Sequence, residues 1–173
     1  YHANHLVHYD FSSNTGIYMG IGVRNIGFIA DFDSLKVKFR SYALSFPLAF
    51  KLGEMDGGTY FFAGVAMDLM FAFKEKRFVN NDRVYRQSQW FSPRTRTFVP
   101  HVFAGVCMAY GTTLKVGYYL SNFLNPDYAR TENGIRVKPY ANSETNLIYF
   151  SLGWTVRNKE GKAKFRVRKA DHQ

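Results

Sequence analysis

Three groups of residues in this 173-residue chain have the types and spacing for chemistry. "HANHLVH" places His2, His5 and His8 three apart, and imidazole is a common metal ligand. In a strand, however, side chains alternate, so His5 faces away from the other two and no metal is assigned. Residues 74–97 crowd Lys74, Lys76, Arg77, Arg83, Arg86, Arg94 and Arg96 against only Glu75 and Asp82. Such a cluster suits anionic phosphates, held by charge-assisted hydrogen bonds. Trp90 and Phe91 in the same stretch point to packing, either on a partner protein or back over the rest of the fold. The third group is one residue: Asp68 in the otherwise apolar "TYFFAGVAMDLMFAF".

Nucleophilic catalysis needs a nucleophile, a base and an orienting acid held together. The chain has no Gly-x-Ser-x-Gly element, and nothing in the sequence pins its Ser and His residues to one another. Cys107 is the single cysteine, which excludes an intrachain disulfide and a cysteine-rich zinc site. Beside Gly105 it reads as a small strand residue, and His101 as a hydrogen-bonded interior filler. No catalytic residue and no cofactor is assigned.

The stretch around Asp68 has the aromatic and β-branched content of a strand and is too short for a membrane-spanning helix. With period two, Phe61, Ala63, Val65, Met67, Leu69, Phe71 and Phe73 share one face. Phe62, Gly64, Ala66, Asp68, Met70 and Ala72 share the other, which is smaller and carries the charge. The same alternation recurs. Tyr42, Leu44, Phe46, Leu48 and Phe50 oppose Ser41, Ala43, Ser45, Pro47 and Lys51. Leu114, Val116, Tyr118 and Leu120 oppose Lys115, Gly117 and Tyr119. Ile148, Phe150, Leu152 and Trp154 oppose Tyr149, Ser151 and Gly153. Ile17, Met19, Ile21 and Val23 oppose Tyr18, Gly20, Gly22 and Arg24. Segments at residues 98–110 and 6–11 complete about seven strands.

Each segment is long enough to cross a bilayer as a tilted strand, about 9–11 residues. Short turns, "SSNTG", "GEMDGGT" and "YGTT", alternate with longer stretches at residues 25–40, 74–97 and 122–146. The first of these suits an extended hairpin, and the other two read as polar loops. Short turns on one side and long loops on the other is the pattern of outer-membrane barrels.

A soluble lipocalin-like barrel would alternate too, with its apolar set inside. Here the polar set is mostly Gly, Ala, Ser, Thr and Tyr, which suits a narrow, filled lumen. The lipid-facing residues are therefore Leu44, Phe46, Leu48, Phe61, Val65, Met67, Leu69, Phe71, Val116, Tyr118, Leu120, Phe150, Leu152 and Trp154. Tyr42, Phe73, Tyr110, Tyr118 and Trp154 are expected toward the interfacial girdles. Arg24, Asp68 and Lys115 enter the lumen, where Asp68 pairs with Lys115 or Arg24.

Seven strands is an odd number, and bacterial barrels of this kind use even ones. The strand order also starts the chain outside the cell. The expected fold is therefore an all-β, transmembrane, antiparallel up-and-down barrel of eight strands, one of them preceding Tyr1. "YHANHLVHYDF" has neither the charged nor the apolar region of a signal peptide. Residues 1–157 form the barrel, and the basic residues 158–173 a periplasmic tail.

The runs "YALSFPLAFKLG", "YFFAGVAMDLMF" and "HVFAGVCMAYGTTLKVGYYLSNFLNPDY" resemble the small outer-membrane β-barrel domains of Bacteroidetes, often called PorT-like. The similarity lies in a strand with a central proline before apolar residues and a lysine (Pro47 to Lys51). A Gly-centred strand follows (Gly64), and then a late hairpin strand (Gly105 to Tyr110), in which Val106 and Cys107 depart from the usual spacing. It covers residues 16–157 and implies no common catalytic residues.

The formal net charge of +10 raises nucleic acid or an anionic membrane surface as partners. Nucleic-acid modules are absent, and the basic residues gather in loops and tail instead of on one sheet face, so nucleic acid is not expected. The expected partners are outer-membrane lipid, lipopolysaccharide and proteins of an envelope complex, in the outer membrane of a Gram-negative bacterium. The expected role is a non-pore structural or adaptor subunit of a secretion, assembly or transport complex. A lipid-modifying enzyme or a soluble ligand-binding barrel is the alternative.

Overall fold

A computed structural model describes residues 2–32, 35–80, 82–154 and 156. The basic tail assigned to residues 158–173 lies outside the described residues. The chain is all-β, an antiparallel sheet curled into a half-barrel. Its strands are β1 (His2–Asp10), β2 (Thr15–Phe32), β3 (Leu35–Glu54), β4 (Thr59–Val79), β5 (Asp82–Trp90), β6 (Phe98–Cys107) and β7 (Thr112–Tyr119). They are followed by a small hairpin, β8 (Arg130–Glu132) and β9 (Ile135–Val137), and by β10 (Ile148–Trp154).

The main sheet runs β1-β2-β3-β4-β6-β7-β10, and β5 adds to the far half of β4. Every pairing is antiparallel. Strands one and seven of this path, β1 and β10, therefore point the same way. Among the described residues no ladder joins them, and a seam stays open between them.

The alternation sets which face is concave. Even-numbered residues of β4 up to Met70 point inward: Tyr60, Phe62, Ala66, Asp68 and Met70 are all buried. Their odd neighbours Phe61, Val65 and Met67 are exposed on the convex side. The concave side holds two apolar clusters. One, at the turn end, gathers Tyr18, Ala49, Met55, Tyr60, Phe62, Phe103 and Cys107. The other, at the loop end, gathers Ile26, Val37, Phe39, Met70, Phe73, Val99, Tyr119, Phe123 and Leu124. Phe123 and Leu124 belong to the loop before β8, and Tyr140 from the loop after β9 packs there as well. These loops thus fold back and fill the mouth of the half-barrel. Trp90 and Phe91 do not join them and stay exposed.

The structure revises two expectations at one place. On β3, Tyr42 pairs with Ala72 and Ala43 with Met70, so Phe71 is an extra residue on β4. Such a bulge reverses the phase of everything after it. Phe73, expected on the lipid side in an interfacial girdle, is instead 1% exposed in the inner core. Residues 74–97, expected as a loop, instead contain the continuation of β4 and the whole of β5. Polarity alone does not mark a loop when both faces of a hairpin stand clear of the apolar band. Asn80 makes the turn with φ of 48°, a left-handed conformation that asparagine tolerates.

Deleting Phe71 removes the phase change and turns Phe73 and Glu75 to the convex face. The deletion is expected to abolish the folded form, whereas Phe71→Leu keeps the count and folds; folded yield compares the two.

Candidate functional site: a buried ion cluster and a cationic outer face

Between the two apolar clusters lies a belt of charge. Arg24 comes from β2, Asp68 from β4, His101 from β6, Lys115 and Tyr119 from β7 and Tyr149 from β10. Arg24 and Asp68 meet across β3 because the residues beneath them, Ala43 and Ser45, are small. Asp68 is fully buried, and its Oδ2 accepts a hydrogen bond from Tyr119 Oη at 2.6 Å. Arg24 Nη1 lies 3.4 Å from the same oxygen and 2.6 Å from His101 Nε2. An arginine can only donate, so Nε2 accepts and the neutral ring carries its proton on Nδ1. The Arg24 guanidinium lies over the Tyr149 ring at 4.3 Å, a cation–π contact.

Of the two partners expected for Asp68, Arg24 makes the contact. Lys115 lies over Phe103 and Tyr149 instead, at 5.2 and 5.9 Å from their centroids. The cluster is incompletely satisfied. Arg24 Nε and Nη2, Asp68 Oδ1 and His101 Nδ1 are buried without a hydrogen-bond partner. The small space beside Arg24, His101 and Lys115 holds about 20 Å³. That is room for one water, not for a solute. Nearer the turn end, buried Lys51 pairs with Asp10.

The belt has no catalytic geometry. The Nε2 lone pair that a base would use is occupied by Arg24, and His101 is 1% exposed. Cys107 is equally buried. His2 and His8 point inward against Tyr149 and Tyr18, and His5 is exposed. Among the described residues no group of three His, Cys, Asp or Glu side chains gathers for a metal.

The convex face is apolar through its middle. Leu48, Val65, Met67, Val116, Leu120, Phe150, Leu152 and Trp154 are exposed there, and Leu44, Leu69 and Phe71 are half-buried. Phe46, Phe61 and Tyr118 are exposed on the same face. At the turn end the Trp154 indole donates to the Tyr110 carbonyl at 3.0 Å. Toward the loop end, Tyr42, Phe71 and Trp90 form a row across β3, β4 and β5, with ring centroids 6.4 and 5.7 Å apart.

Directly beyond that row the outer face turns cationic. The register sets Arg40 beside Lys74, Lys38 beside Lys76 and Lys76 beside Arg86, with Lys36 and Arg83 flanking Phe78. Asp31 answers only Lys36, at 3.2 Å. Desolvation, and then the charges of Arg86, Arg83, Arg40 and Lys38, hold the Lys76 ammonium below its usual range. Like charges placed opposite one another in a sheet repel, a repulsion that a bound anion would offset.

The expected anion contacts divide here. Lys74, Lys76, Arg83 and Arg86 lie on this face, and Arg96 is exposed in the following loop. Arg77 and Arg94 are instead engaged by Glu75, which is 1% exposed. Arg77 Nε donates to its Oε1 at 2.7 Å and Arg94 Nη1 to its Oε2 at 2.6 Å. The Phe71 bulge is the cause, since it brings Glu75 and Arg77 to the inner phase. Sequence reasoning missed Lys36, Lys38 and Arg40. Their signal was the alternating Lys-x-Lys-x-Arg run, which places three cations on one strand face.

Two outcomes are expected. Asp68→Asn leaves Arg24 charged without its partner and destabilises the fold by about 3 kcal/mol, read as a lower unfolding midpoint in detergent. Replacing Lys38, Lys76 and Arg86 together by Gln raises the Kd for a phosphate-bearing amphiphile about 100-fold, at about 1 kcal/mol per cation. Trp90 fluorescence in neutral detergent measures it.

No protein family, curated protein or solved structure matches the chain.

Proposed function

We propose that the chain is most of a small outer-membrane β-barrel with a filled lumen, acting as a structural or adaptor subunit of a larger envelope complex. One observation carries this: the sheet is inside-out for a water-soluble protein. Its convex face is a broad field of exposed aromatic and aliphatic side chains, and its concave face buries Arg24, Lys51, Asp68, Glu75 and His101. An exposed apolar surface of this extent needs a nonpolar partner.

The dimensions agree with lipid as that partner. Ten residues of β4 separate Phe61 from Phe71. At about 3.3 Å per residue and a tilt of about 40°, they rise roughly 25 Å, the height of a barrel's apolar band. The Tyr42, Phe71, Trp90 row then sits at one interface and Trp154 with Tyr110 at the other. The cationic face falls at the level of lipid phosphates, which include those of lipopolysaccharide.

In hydrocarbon an open sheet edge is not tolerated. β1 and β10 run the same way, so an antiparallel closure takes one more strand, giving eight. The packed interior and the loops filling the mouth leave no path for a solute, which favours an anchoring role over a pore. The β4–β5 hairpin offers protein partners an unpaired β5 edge with Val84 and Tyr85 exposed, open to strand addition. A lipid hydrolase is disfavoured by the burial of His101.

Expressed from the full-length gene in a Gram-negative host, the protein is expected in the outer-membrane fraction. Unheated, it should migrate on a denaturing gel as a band distinct from the boiled one. A soluble monomer in the absence of detergent would contradict the proposal.

A further inference from the structure

The belt of charge carries more positive than negative charge, and the surplus borders one small space. Among its described residues the belt has one carboxylate, Asp68, against the cations Arg24 and Lys115. His101 adds no charge, because its Nε2 accepts from Arg24 and the ring is neutral. Asp68 is engaged through one oxygen: Oδ2 faces both Tyr119 Oη and Arg24 Nη1. Arg24 is 2% exposed, and its Nε and Nη2 have no hydrogen-bond partner. Those two nitrogens form the side edge of the guanidinium, which presents two parallel N–H donors. Against the Lys115 ammonium lie the ring faces of Phe103 and Tyr149. Arg24, Lys115, His101 and Phe103 border the same space of about 20 Å³, and Asn4 and Ser45 add polar groups to its wall.

We propose that this space is a binding site for one monatomic, monovalent anion, a halide such as chloride, held between the side edge of Arg24 and the Lys115 ammonium. Charge selects the valence. Two cations and one carboxylate leave a surplus of one, which one monovalent anion neutralises. A water would satisfy the donors but leave the surplus, and an unpaired charge in a low-dielectric interior is costly. Size selects a monatomic ion. About 20 Å³ takes one water-sized particle, so carboxylates, phosphates and sulfate, with several heavy atoms each, do not fit. The donors select the sign, because guanidinium and ammonium groups have no acceptor to offer a cation. Arg24 comes from β2 and Lys115 from β7, which share no ladder. The anion therefore ties together strands that the sheet's own hydrogen bonds do not join. The site uses described residues alone and does not depend on what covers the convex face, so it stands or falls separately from the barrel reading.

The test uses the full-length protein in neutral detergent, exchanged into gluconate, a bulky anion, at fixed pH and ionic strength. Circular dichroism follows the temperature at which the fold is lost as chloride or bromide replaces gluconate. In wild type that temperature is expected to rise by about 5 °C and then saturate. Sulfate at the same ionic strength should give no such rise. Lys115→Met removes the surplus charge, so in gluconate it should melt at least as high as wild type and show no response to halide. Replacing Lys38, Lys76 and Arg86 together by Gln should leave the halide response in place, which separates the buried site from the cationic outer face. Three results overturn the site: a wild-type protein indifferent to halide, a Lys115→Met protein that keeps the full response, or a response lost in the outer-face variant. Should Lys115→Met not fold, the line width of the chloride NMR signal decides. Saturable broadening by both wild type and the outer-face variant, displaced by bromide, supports the site, and its absence overturns it.

Discussion

Asp68 is accommodated in an apolar strand because β4 holds it on the concave side, where Tyr119 and Arg24 reach it. Everything else in the fold follows from keeping that phase. A one-residue slip would deliver the carboxylate to the convex face and Val65 and Met67 to the interior. The small residues Ala43, Ser45, Gly64 and Ala66 leave the volume in which the ion cluster and the neighbouring rings sit. Their spacing is as much a part of the charge arrangement as Arg24 itself. Buried ion pairs give little net stability, but their loss is expensive, so a pair in this position acts mainly to fix register.

The phase of β4 against β3 changes at one place. The extra residue at Phe71 divides β4 into two regimes. Below it, inward means Asp68 and outward means lipid-compatible side chains. Beyond it, inward means Phe73 and Glu75, and outward means Lys74 and Lys76. One strand thereby serves an apolar band and a cationic hairpin without a break in its hydrogen-bonded ladder. The aromatic row at Tyr42, Phe71 and Trp90 marks the change, and Glu75 with Arg77 and Arg94 staples the base of the hairpin to the loop between β5 and β6.

Much of the sheet was legible in the sequence, because period-two alternation is a direct consequence of strand geometry. The inward set around Arg24, Lys51 and Asp68 and the outward set around Phe61 and Phe150 needed nothing more. The bulge was not legible, since one extra residue among Leu69, Met70, Phe71, Ala72 and Phe73 leaves an unbroken apolar run. Strict alternation therefore puts Phe73 on the wrong side, and spacing alone does not show that Glu75 engages both Arg77 and Arg94. The β5 pairing was hidden because charge on a hairpin standing in water looks the same as charge on a loop. Which cation meets Asp68 depends on cross-sheet distances that spacing along the chain does not encode.

The most direct test of lipid contact is a spin-label scan along residues 61–79 of the full-length protein in bilayers. It compares accessibility to oxygen, which partitions into lipid, with accessibility to a water-soluble paramagnet. The account predicts strong oxygen contact at odd positions from Phe61 to Phe71 and little at the even ones. From Lys74 onward the outward positions become even and contact the aqueous reagent instead. Aqueous contact at Phe61, Val65 and Met67, or an alternation that runs through Phe71 without changing phase, would contradict it.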